Sequence, residues 1–372
     1  MRIILATGIF YPEIGGPALL VKKLAEEFSK KNHQVVVITY GQINQESASA
    51  AYQLIKICRR SKIFNYFRYF LALLKTAKKN DLVLVFDTFS AALPVAIVSF
   101  FRGFRFFIRL GGDFLWETAV NKFGKEAALT DYYRTKFNWR ERLYFFLIKF
   151  IFKRAAKLIA TAAYQSELVK RYYQIPGEKF VLIPNAFPQV QPVAAGEEIL
   201  AKQIIYVGRF NPLKNLFRLI EAFKKANLKD YRLILVGDGP LGKQLISKVK
   251  EENLAERVFV QPPLFGRELD RRIQESRLLV LPSLSDITPN SVLRAIALGT
   301  PVLMTKHSGY FEEFKDKLLF IDEPKNIQEI QEKISFILEE ENYLKYKNLL
   351  KEIDTGYTEE PMAEKYLNFI LL

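Results

Sequence analysis

Short apolar runs alternate with helical stretches along the whole chain, and this alternation restricts the fold more than any other feature of the sequence. In the first half a helix is predicted over 18–31. Strands are predicted over 2–7, 34–39, 81–86, 105–109, 158–161 and 179–183. Buried strands separated by helices are typical of a parallel sheet that is covered on both faces. The first half is therefore expected to be a doubly wound α/β domain.

A second set of the same kind follows the segment PQVQPVAAGEE, whose prolines and small residues are typical of a linker. Strands are predicted over 204–207, 232–236, 258–260, 278–281, 301–304 and 318–320. Helices are predicted over 216–225, 243–251, 291–298, 327–340 and 359–372. We therefore expect two doubly wound domains side by side, 1–187 and 188–355, with a ligand cleft between the carboxyl ends of their sheets. A C-terminal helix, 356–372, is expected to pack back on the first domain.

The composition agrees with a globular protein of two domains. Of 372 residues, 49% are apolar and 26% are charged, which excludes disordered and fibrous classes of protein. One cysteine, Cys58, excludes an internal disulfide, and two histidines, His33 and His307, are too few for a histidine-rich metal centre. We find no signal peptide and no window of about 18 uncharged apolar residues, so a cytoplasmic protein is expected.

The positive charge is concentrated in the first half of the chain. Residues 1–190 carry 29 Lys and Arg against 13 Asp and Glu, whereas the remainder carries 26 against 27. Two basic segments rich in Phe and Tyr contribute to this excess, and their cations include Arg59, Arg60, Lys62, Arg68, Arg140 and Arg142. On amphipathic helices such segments suit an anionic lipid interface, although the aromatic side chains could instead be core and the cations solvated. No nucleic-acid-binding signature is present, so we expect peripheral association with the inner face of the cell membrane.

Glycine-containing turns follow several predicted strands, where the backbone can approach a ligand. The first strand leads into GIFYPEIGG, with Gly15 and Gly16 directly before a helix start, where free N–H groups can bind a phosphate. The turn VGRFNPLKN contains Gly208 and supplies Arg209 and Lys214 as two cations for a diphosphate. A further turn is VGDGPL. Each of these taken alone is also compatible with a tight turn and solvated cations.

Five stretches span nearly the whole chain in the order FYPEIGG, IPNAF, VGRFNPLKN, VGDGPL and LPSLSDITPNSVLRAIALGTPVL. Taken together, they resemble family 4 of the retaining glycosyltransferases. The resemblance implies the GT-B fold, in which two facing Rossmann-like domains enclose an interdomain cleft. It also implies transfer of a sugar from a nucleotide-diphosphate donor with retention of anomeric configuration and without a metal. Together with the basic, aromatic first domain, it favours a lipid-linked or polysaccharide acceptor.

The resemblance also implies roles for individual residues. Arg209 and Lys214 would neutralise the charge that grows on the departing diphosphate, and an oxygen of that phosphate would help to deprotonate the incoming hydroxyl. Asp113 lies in a Gly-Asp-x-x-Trp-Glu stretch and could contact the sugar or the acceptor hydroxyl, or it could cap the following helix. The donor-binding residues would be Gly15, Gly16, Gly208, Gly237, Asn290, Arg294 and Glu312.

The last motif departs from the family pattern. The family usually carries two glutamates eight residues apart, and here these positions are Asp286 and Arg294. Arg294 cannot accept hydrogen bonds from ribose hydroxyls, and Pro289 lacks a backbone N–H that could bind the sugar. Glu312 could compensate, or it could be an ordinary helix-start glutamate. Two other interpretations therefore stay open: a non-catalytic homologue that partners an active transferase, and a soluble sugar-phosphate or sucrose-type synthase.

Overall fold

A computed structural model of the chain describes residues 1–13, 15–41, 51–191 and 201–371, with the backbone alone at 62, 63 and 201. These residues form two sheets. The strands of the first are β1 (Arg2–Ala6), β2 (Gln34–Tyr40), β3 (Gln53–Ile57), β4 (Leu82–Val85), β5 (Arg105–Leu110), β6 (Lys157–Ala160) and β7 (Phe180–Leu182). The strands of the second are β8 (Ala201–Val207), β9 (Arg232–Val236), β10 (Val258–Gln261), β11 (Ser276–Leu281), β12 (Val302–Thr305) and β13 (Leu319–Ile321).

Helices connect these strands. Up to the end of the first sheet they are α1 (Gly16–Lys30), α2 (Lys62–Thr76), α3 (Ala92–Arg102), α4 (Phe114–Phe123), α5 (Leu129–Tyr132), α6 (Trp139–Arg154) and α7 (Ala163–Tyr173). After it they are α8 (Leu216–Ala226), α9 (Gly242–Glu251), α10 (Gly266–Gln274), α11 (Asn290–Ala297), α12 (Phe311–Phe314), α13 (Ile327–Leu338), α14 (Glu340–Leu350) and α15 (Glu359–Leu371).

The strand order is the same in the two sheets, apart from the additional β7 of the first, and it predicts where each sheet can bind a ligand. The first has the strand order β3-β2-β1-β4-β5-β6-β7 and the second β10-β9-β8-β11-β12-β13. All neighbouring strands are parallel. The order reverses between β1 and β4 and between β8 and β11, and at such a switch point the loops after the strands diverge to form a crevice. The doubly wound α/β fold predicted for each half is confirmed.

The predicted strands correspond to the observed ones within three residues, with the exception of β3, which was not predicted. Its sequence, QLIKI, lies at the sheet edge, and most of its residues are only half-buried. Lys56 interrupts the short apolar run. An edge strand needs less apolar sequence than a central one, so its pattern is weak.

The chain divides into two compact units, and their boundaries differ from those expected. The first unit is Met1–Glu117, Thr135–Asn185 and Glu359–Leu372, and the second is Thr118–Arg134 and Ala186–Thr358. The segment Thr118–Arg134, which the sequence placed in the first domain, thus belongs to the second unit. Contacts between distant residues hold it there: the Leu129 N–H donates to Ser285 Oγ at 2.8 Å, and Arg218 pairs with Glu126 at 2.7 Å.

Candidate functional site

Two glycine turns at the carboxyl ends of β8 and β9 pack backbone against backbone. The Phe210 N–H donates to the Asp238 carbonyl at 2.8 Å, and the Leu241 N–H donates to the Phe210 carbonyl at 3.0 Å. A Cβ atom on Gly237 would lie 1.9 Å from the carbonyl oxygen of Gly208, so a larger residue there would force the turns apart. The two turns therefore form one ledge beside the switch point of the second sheet.

Arg209 presents a cation on this ledge. The residue is exposed, and its guanidinium forms no ion pair with any residue that the structure describes. The Tyr206 hydroxyl donates to the Arg209 carbonyl at 2.9 Å and so fixes the backbone below the side chain. Burial, and next the charge of Asp286, raise the pKa of the Tyr206 phenol well above 10.0, so this donor stays protonated at neutral pH.

Lys214 and Asp286 meet at the switch point of the second sheet. Lys214 ends a 3-10 turn after β8, and Asp286 lies in the loop after β11. The ammonium of Lys214 pairs with Asp286 Oδ2, and the two side chains are only 16% and 14% exposed. Ser283 Oγ donates to the same carboxylate oxygen at 3.3 Å. A cation and a carboxylate are thus held together where a ligand binds in folds of this kind.

Arg294 forms a second ion pair in this unit, with a buried carboxylate. Its guanidinium bonds to the carboxylate of Asp270, whose side chain is 3% exposed. The Gln191 N–H donates to the other carboxylate oxygen at 3.2 Å. The positive charge of Arg294 is therefore used to join α10 to α11. Sequence reasoning did not identify Asp270, because no local motif marks a partner 24 residues away.

Asn290 and Glu312, the other predicted donor contacts of the second unit, lie at helix starts. Asn290 is the exposed first residue of α11. Glu312 lies in the first turn of α12, is 79% exposed and pairs at 3.0 Å with Lys315, the residue that directly follows this helix. The turn before α12 does contact the Asp286 loop, since the Gly309 N–H donates to the Asp286 carbonyl at 3.3 Å. Donor binding by Asn290 and Glu312 stays a prediction.

His307 lies in the same loop region, and its backbone carbonyl accepts the Asp286 N–H at 3.0 Å. Burial, and next the charge of Lys306, lower the pKa of its imidazole from 6.5, whereas Asp131 and Glu323 act in the opposite direction. The ring is therefore neutral at pH 7. Within the described ranges, no group of three His, Cys, Asp or Glu side chains is arranged to hold a metal ion.

In the first unit, the loop after β1 leads directly into α1. Gly15 precedes the helix and Gly16 is its exposed first residue, and the first turn contains no acidic residue that would oppose an anion. Arg59 lies against this loop: its guanidinium donates to the carboxylate of Glu13 at 2.7 Å and to the Gly8 carbonyl at 3.2 Å. Arg59 is thus part of the loop's support, a contact that the sequence did not signal.

Asp113 is the capping residue of α4. Its Oδ1 accepts the Trp116 N–H at 2.9 Å, and its carbonyl accepts the Glu117 N–H at 2.9 Å. This is the capping geometry that the sequence offered as the alternative to a catalytic role. A contact between Asp113 and the sugar or the acceptor stays a prediction.

The remaining cations predicted to face a membrane have unequal surroundings. Arg60, Arg140 and Arg142 are exposed. Arg68 is half-buried and donates to the Cys58 carbonyl at 3.1 Å. The side chain of Lys62 lies outside the described residues.

Comparison with known protein families identifies the family of the chain. Residues 14–188 match Glycosyltransferase Family 4, and residues 196–352 match Glycosyl transferases group 1. The chain belongs to these glycosyltransferases. The glycosyltransferase family predicted from the five motifs is thereby confirmed, whereas retention of anomeric configuration stays a prediction.

Two relatives illustrate the similarity within this glycosyltransferase family. Over 234 residues the chain is 26% identical to the N-acetylgalactosamine-N,N'-diacetylbacillosaminyl-diphospho-undecaprenol 4-alpha-N-acetylgalactosaminyltransferase of Campylobacter jejuni, covering 61% of this chain and 63% of that protein. Over 186 residues it is 26% identical to the uncharacterized glycosyltransferase MJ1059 of Methanocaldococcus jannaschii, covering 45% of each. The chain thus matches less than two thirds of the length of either relative.

Solved structures confirm the GT-B fold. HepE from Anabaena, solved with UDP and glucose, superimposes with a TM-score of 0.75 at 16% identity and covers 100% of this chain and 99% of that one. WaaG, a glycosyltransferase involved in lipopolysaccharide biosynthesis, gives a TM-score of 0.74 at 17% identity, with coverage of 100% and 99%. At these identities the likeness concerns the fold.

Proposed function

We propose that this glycosyltransferase moves a hexose-type sugar from a nucleotide-diphosphate donor to a lipid-linked or polysaccharide acceptor, with retention of anomeric configuration and without a metal. The observation that carries the proposal is the Lys214–Asp286 pair, with the exposed Arg209 on the neighbouring ledge. These groups follow the strands that flank the switch point of the second sheet, where a GT-B donor has its nucleotide.

The chemistry requires stabilisation of a leaving group. When the bond between the anomeric carbon and the phosphate oxygen breaks, its electron pair stays on the diphosphate. Arg209 and Lys214 then lie against growing negative charge, and Asp286 fixes the orientation of the Lys214 ammonium. The acceptor hydroxyl forms the new bond to the anomeric carbon, and its proton passes to the departing phosphate oxygen. The cations of the protein thus take the place of a metal.

Two observations support a lipid-linked acceptor at the inner face of the cell membrane. The C. jejuni relative is by its name a transferase that acts on a diphospho-undecaprenol-linked glycan. Residues 1–190 of this chain carry 29 cationic against 13 acidic residues, which favours an anionic surface. We therefore propose a cytoplasmic protein that is peripheral on that membrane.

The alternative is a non-catalytic homologue that binds nucleotide or glycan and partners an active transferase. The ion pair of Arg294 with Asp270 favours it, because this cation stands where the family has a ribose-binding glutamate. Pro289 favours it too, since it removes one backbone donor from the same loop.

A panel of UDP-, GDP- and ADP-sugars tests the proposal through slow donor hydrolysis and thermal stabilisation. One donor should stabilise the protein and be hydrolysed. Arg209→Ala and Lys214→Ala should each lower this rate by about tenfold to a thousandfold, whereas Lys225→Ala, which removes an exposed lysine of α8, should leave it unchanged. Binding without turnover, even when lipid-linked acceptors are supplied, would favour the non-catalytic homologue.

A further inference from the structure

Three adjoining helices of the first unit expose large apolar side chains. Helix α3 packs against both α2 and α6. Among the described residues, 19 large hydrophobic side chains are exposed, and ten of them lie on these three helices. Because exposed apolar side chains clustered on adjoining elements mark interaction sites, this concentration points to a partner.

The exposed side chains follow helical spacing, so each helix presents a single row. On α2 the row is Phe64, Phe67 and Leu71, and on α3 it is Ile97, Phe100 and Phe101. An apolar groove of about 270 Å³ lies along the contact between α2 and α3, and Phe67 and Ile97 both line it. These two rows therefore border one continuous apolar surface. The sequence predicted the involvement of α2 but gave no indication of α3.

Helix α6 adds the third row, with Trp139, Leu143, Phe146 and Phe150 at spacings of three and four residues. Trp139 is 70% exposed and Phe146 66%. A Trp side chain is stable at the level of the lipid headgroups because its ring is mostly apolar while its N–H can bond to water. Phe and Leu side chains on the same helix face can be buried at the boundary between headgroups and acyl chains.

The charges beside these rows are positive. Neither α2 nor α3 contains Asp or Glu, and the one carboxylate of α6, Glu141, is fully buried in the helix cap, where it accepts the Asn138 N–H at 2.8 Å. The three helices therefore expose no carboxylate. Their exposed cations are Lys75, Arg102, Arg140, Arg142, Lys153 and Arg154.

We propose that α2, α3 and α6 together form a docking surface that inserts its aromatic rows into the interfacial layer of an anionic phospholipid bilayer. No helix in the part of the chain that the structure describes is both long and apolar enough to cross a membrane. Because the three helices expose cations and no carboxylates, their surface complements anionic lipid headgroups. Two copies of this surface face to face would instead bring like charges together. The inference deepens the membrane location given under Proposed function, on which it rests.

Co-sedimentation with vesicles tests the surface. Vesicles of phosphatidylcholine with about one third phosphatidylglycerol should bind the wild-type chain, and part of that binding should survive about 0.5 M salt, because screening removes the electrostatic attraction alone. Phe100→Ser with Phe101→Ser, and separately Trp139→Ser with Phe146→Ser, should each lower the affinity by about tenfold or more. Phe265→Ser with Phe336→Ser removes exposed phenylalanines of the second unit and should have no effect.

Tryptophan fluorescence supplies a readout of insertion. Trp139 is exposed, whereas Trp116, the second tryptophan, is 3% exposed. A blue shift on addition of vesicles therefore reports on Trp139, and it should disappear in Trp139→Phe, which keeps an aromatic anchor. Binding without a shift in the wild-type chain would overturn insertion by α6.

Donor hydrolysis without acceptor separates this inference from the proposed activity. The aromatic variants should hydrolyse donor like the wild-type chain while losing vesicle binding. Unchanged vesicle binding in both aromatic pairs would overturn the docking surface, whatever the hydrolysis result. A stable dimer in light scattering that the same substitutions convert to monomer would also overturn it, since a second copy would then cover the surface. Vesicle binding without hydrolysis would count against the proposed activity alone.

Discussion

At the scale of single residues, Asp270 carries its charge almost completely buried and depends on one guanidinium. Its side chain is 3% exposed and pairs with Arg294. Arg294→Ala leaves this carboxylate without its counter-ion, so we expect the free energy of unfolding to fall by about 3 kcal/mol in chemical denaturation. Arg271→Ala is the control: its pair with Glu275, four residues along the chain, is 52% and 41% exposed and should matter by about 1 kcal/mol or less. Equal losses would contradict this prediction.

His307 should make stability depend on pH. Its pKa is lowered from 6.5, chiefly by burial. As the pH falls through 6.5, the unfolded chain takes up a proton that the folded chain does not, so stability is present above this pH and is lost below it. His307→Gln should weaken the fall of the unfolding temperature between about pH 7 and pH 5. The pKa of His33 is also lowered by burial, so this residue still contributes to the pH dependence in the variant. A slope of unfolding temperature against pH equal to that of the wild-type chain would count against the prediction.

At the scale of elements, the ledge formed by the turns after β8 and β9 depends on Gly237. A Cβ there would lie 1.9 Å from the Gly208 carbonyl oxygen. Gly237→Ala should therefore lower the unfolding free energy by about 1–3 kcal/mol and reduce donor hydrolysis. In Gly242→Ala, at the start of α9, the new methyl would lie 3.8 Å from the Phe210 ring, an ordinary contact. That control should retain stability and turnover, and the same loss in both variants would show that the ledge is not the cause.

At the scale of the whole molecule, the chain ends in the unit in which it begins. Helix α15 packs against α1, Tyr366 is fully buried, and its hydroxyl accepts a hydrogen bond from Arg109 Nε at 3.0 Å. Arg109 also donates to Asn185 Oδ1 at 2.6 Å. The last helix is therefore a structural part of the first unit.

Tyr366→Phe tests how much the hydrogen bond between Arg109 of β5 and Tyr366 of α15 contributes to stability. It removes the acceptor of a guanidinium that is itself 5% exposed, so a loss of about 1–3 kcal/mol in the free energy of unfolding is expected. Hydrogen exchange should show the increased opening in β5 and α1 of the first unit, with the protection of β8 and β9 unchanged. Equal loosening of both units, or no loss of stability, would argue against it.

The sequence predicted those parts of the site that depend on short segments. Gly208, Arg209 and Lys214 follow β8 within one motif, and local order alone places them at the carboxyl end of a strand. The central strands were predicted because burial on both faces demands continuous apolar runs. Strand β3 was missed because an edge strand needs only a weak apolar pattern. The assignment of Thr118–Arg134 to the second unit depends on contacts with distant residues, which local patterns do not show.

Local sequence patterns were sufficient to predict the two doubly wound units, the glycosyltransferase family and the strand ends that carry the candidate site. The charge partners are defined by the folded chain: Asp286 for Lys214, Asp270 for Arg294, Glu13 for Arg59. The tertiary structure also showed that α3 continues the aromatic surface of α2 and α6. The difference arises from the separation along the chain of the residues that interact. Turns and strand burial are encoded by neighbouring residues, whereas a charge pairs with whichever opposite charge the packed helices and loops bring within reach.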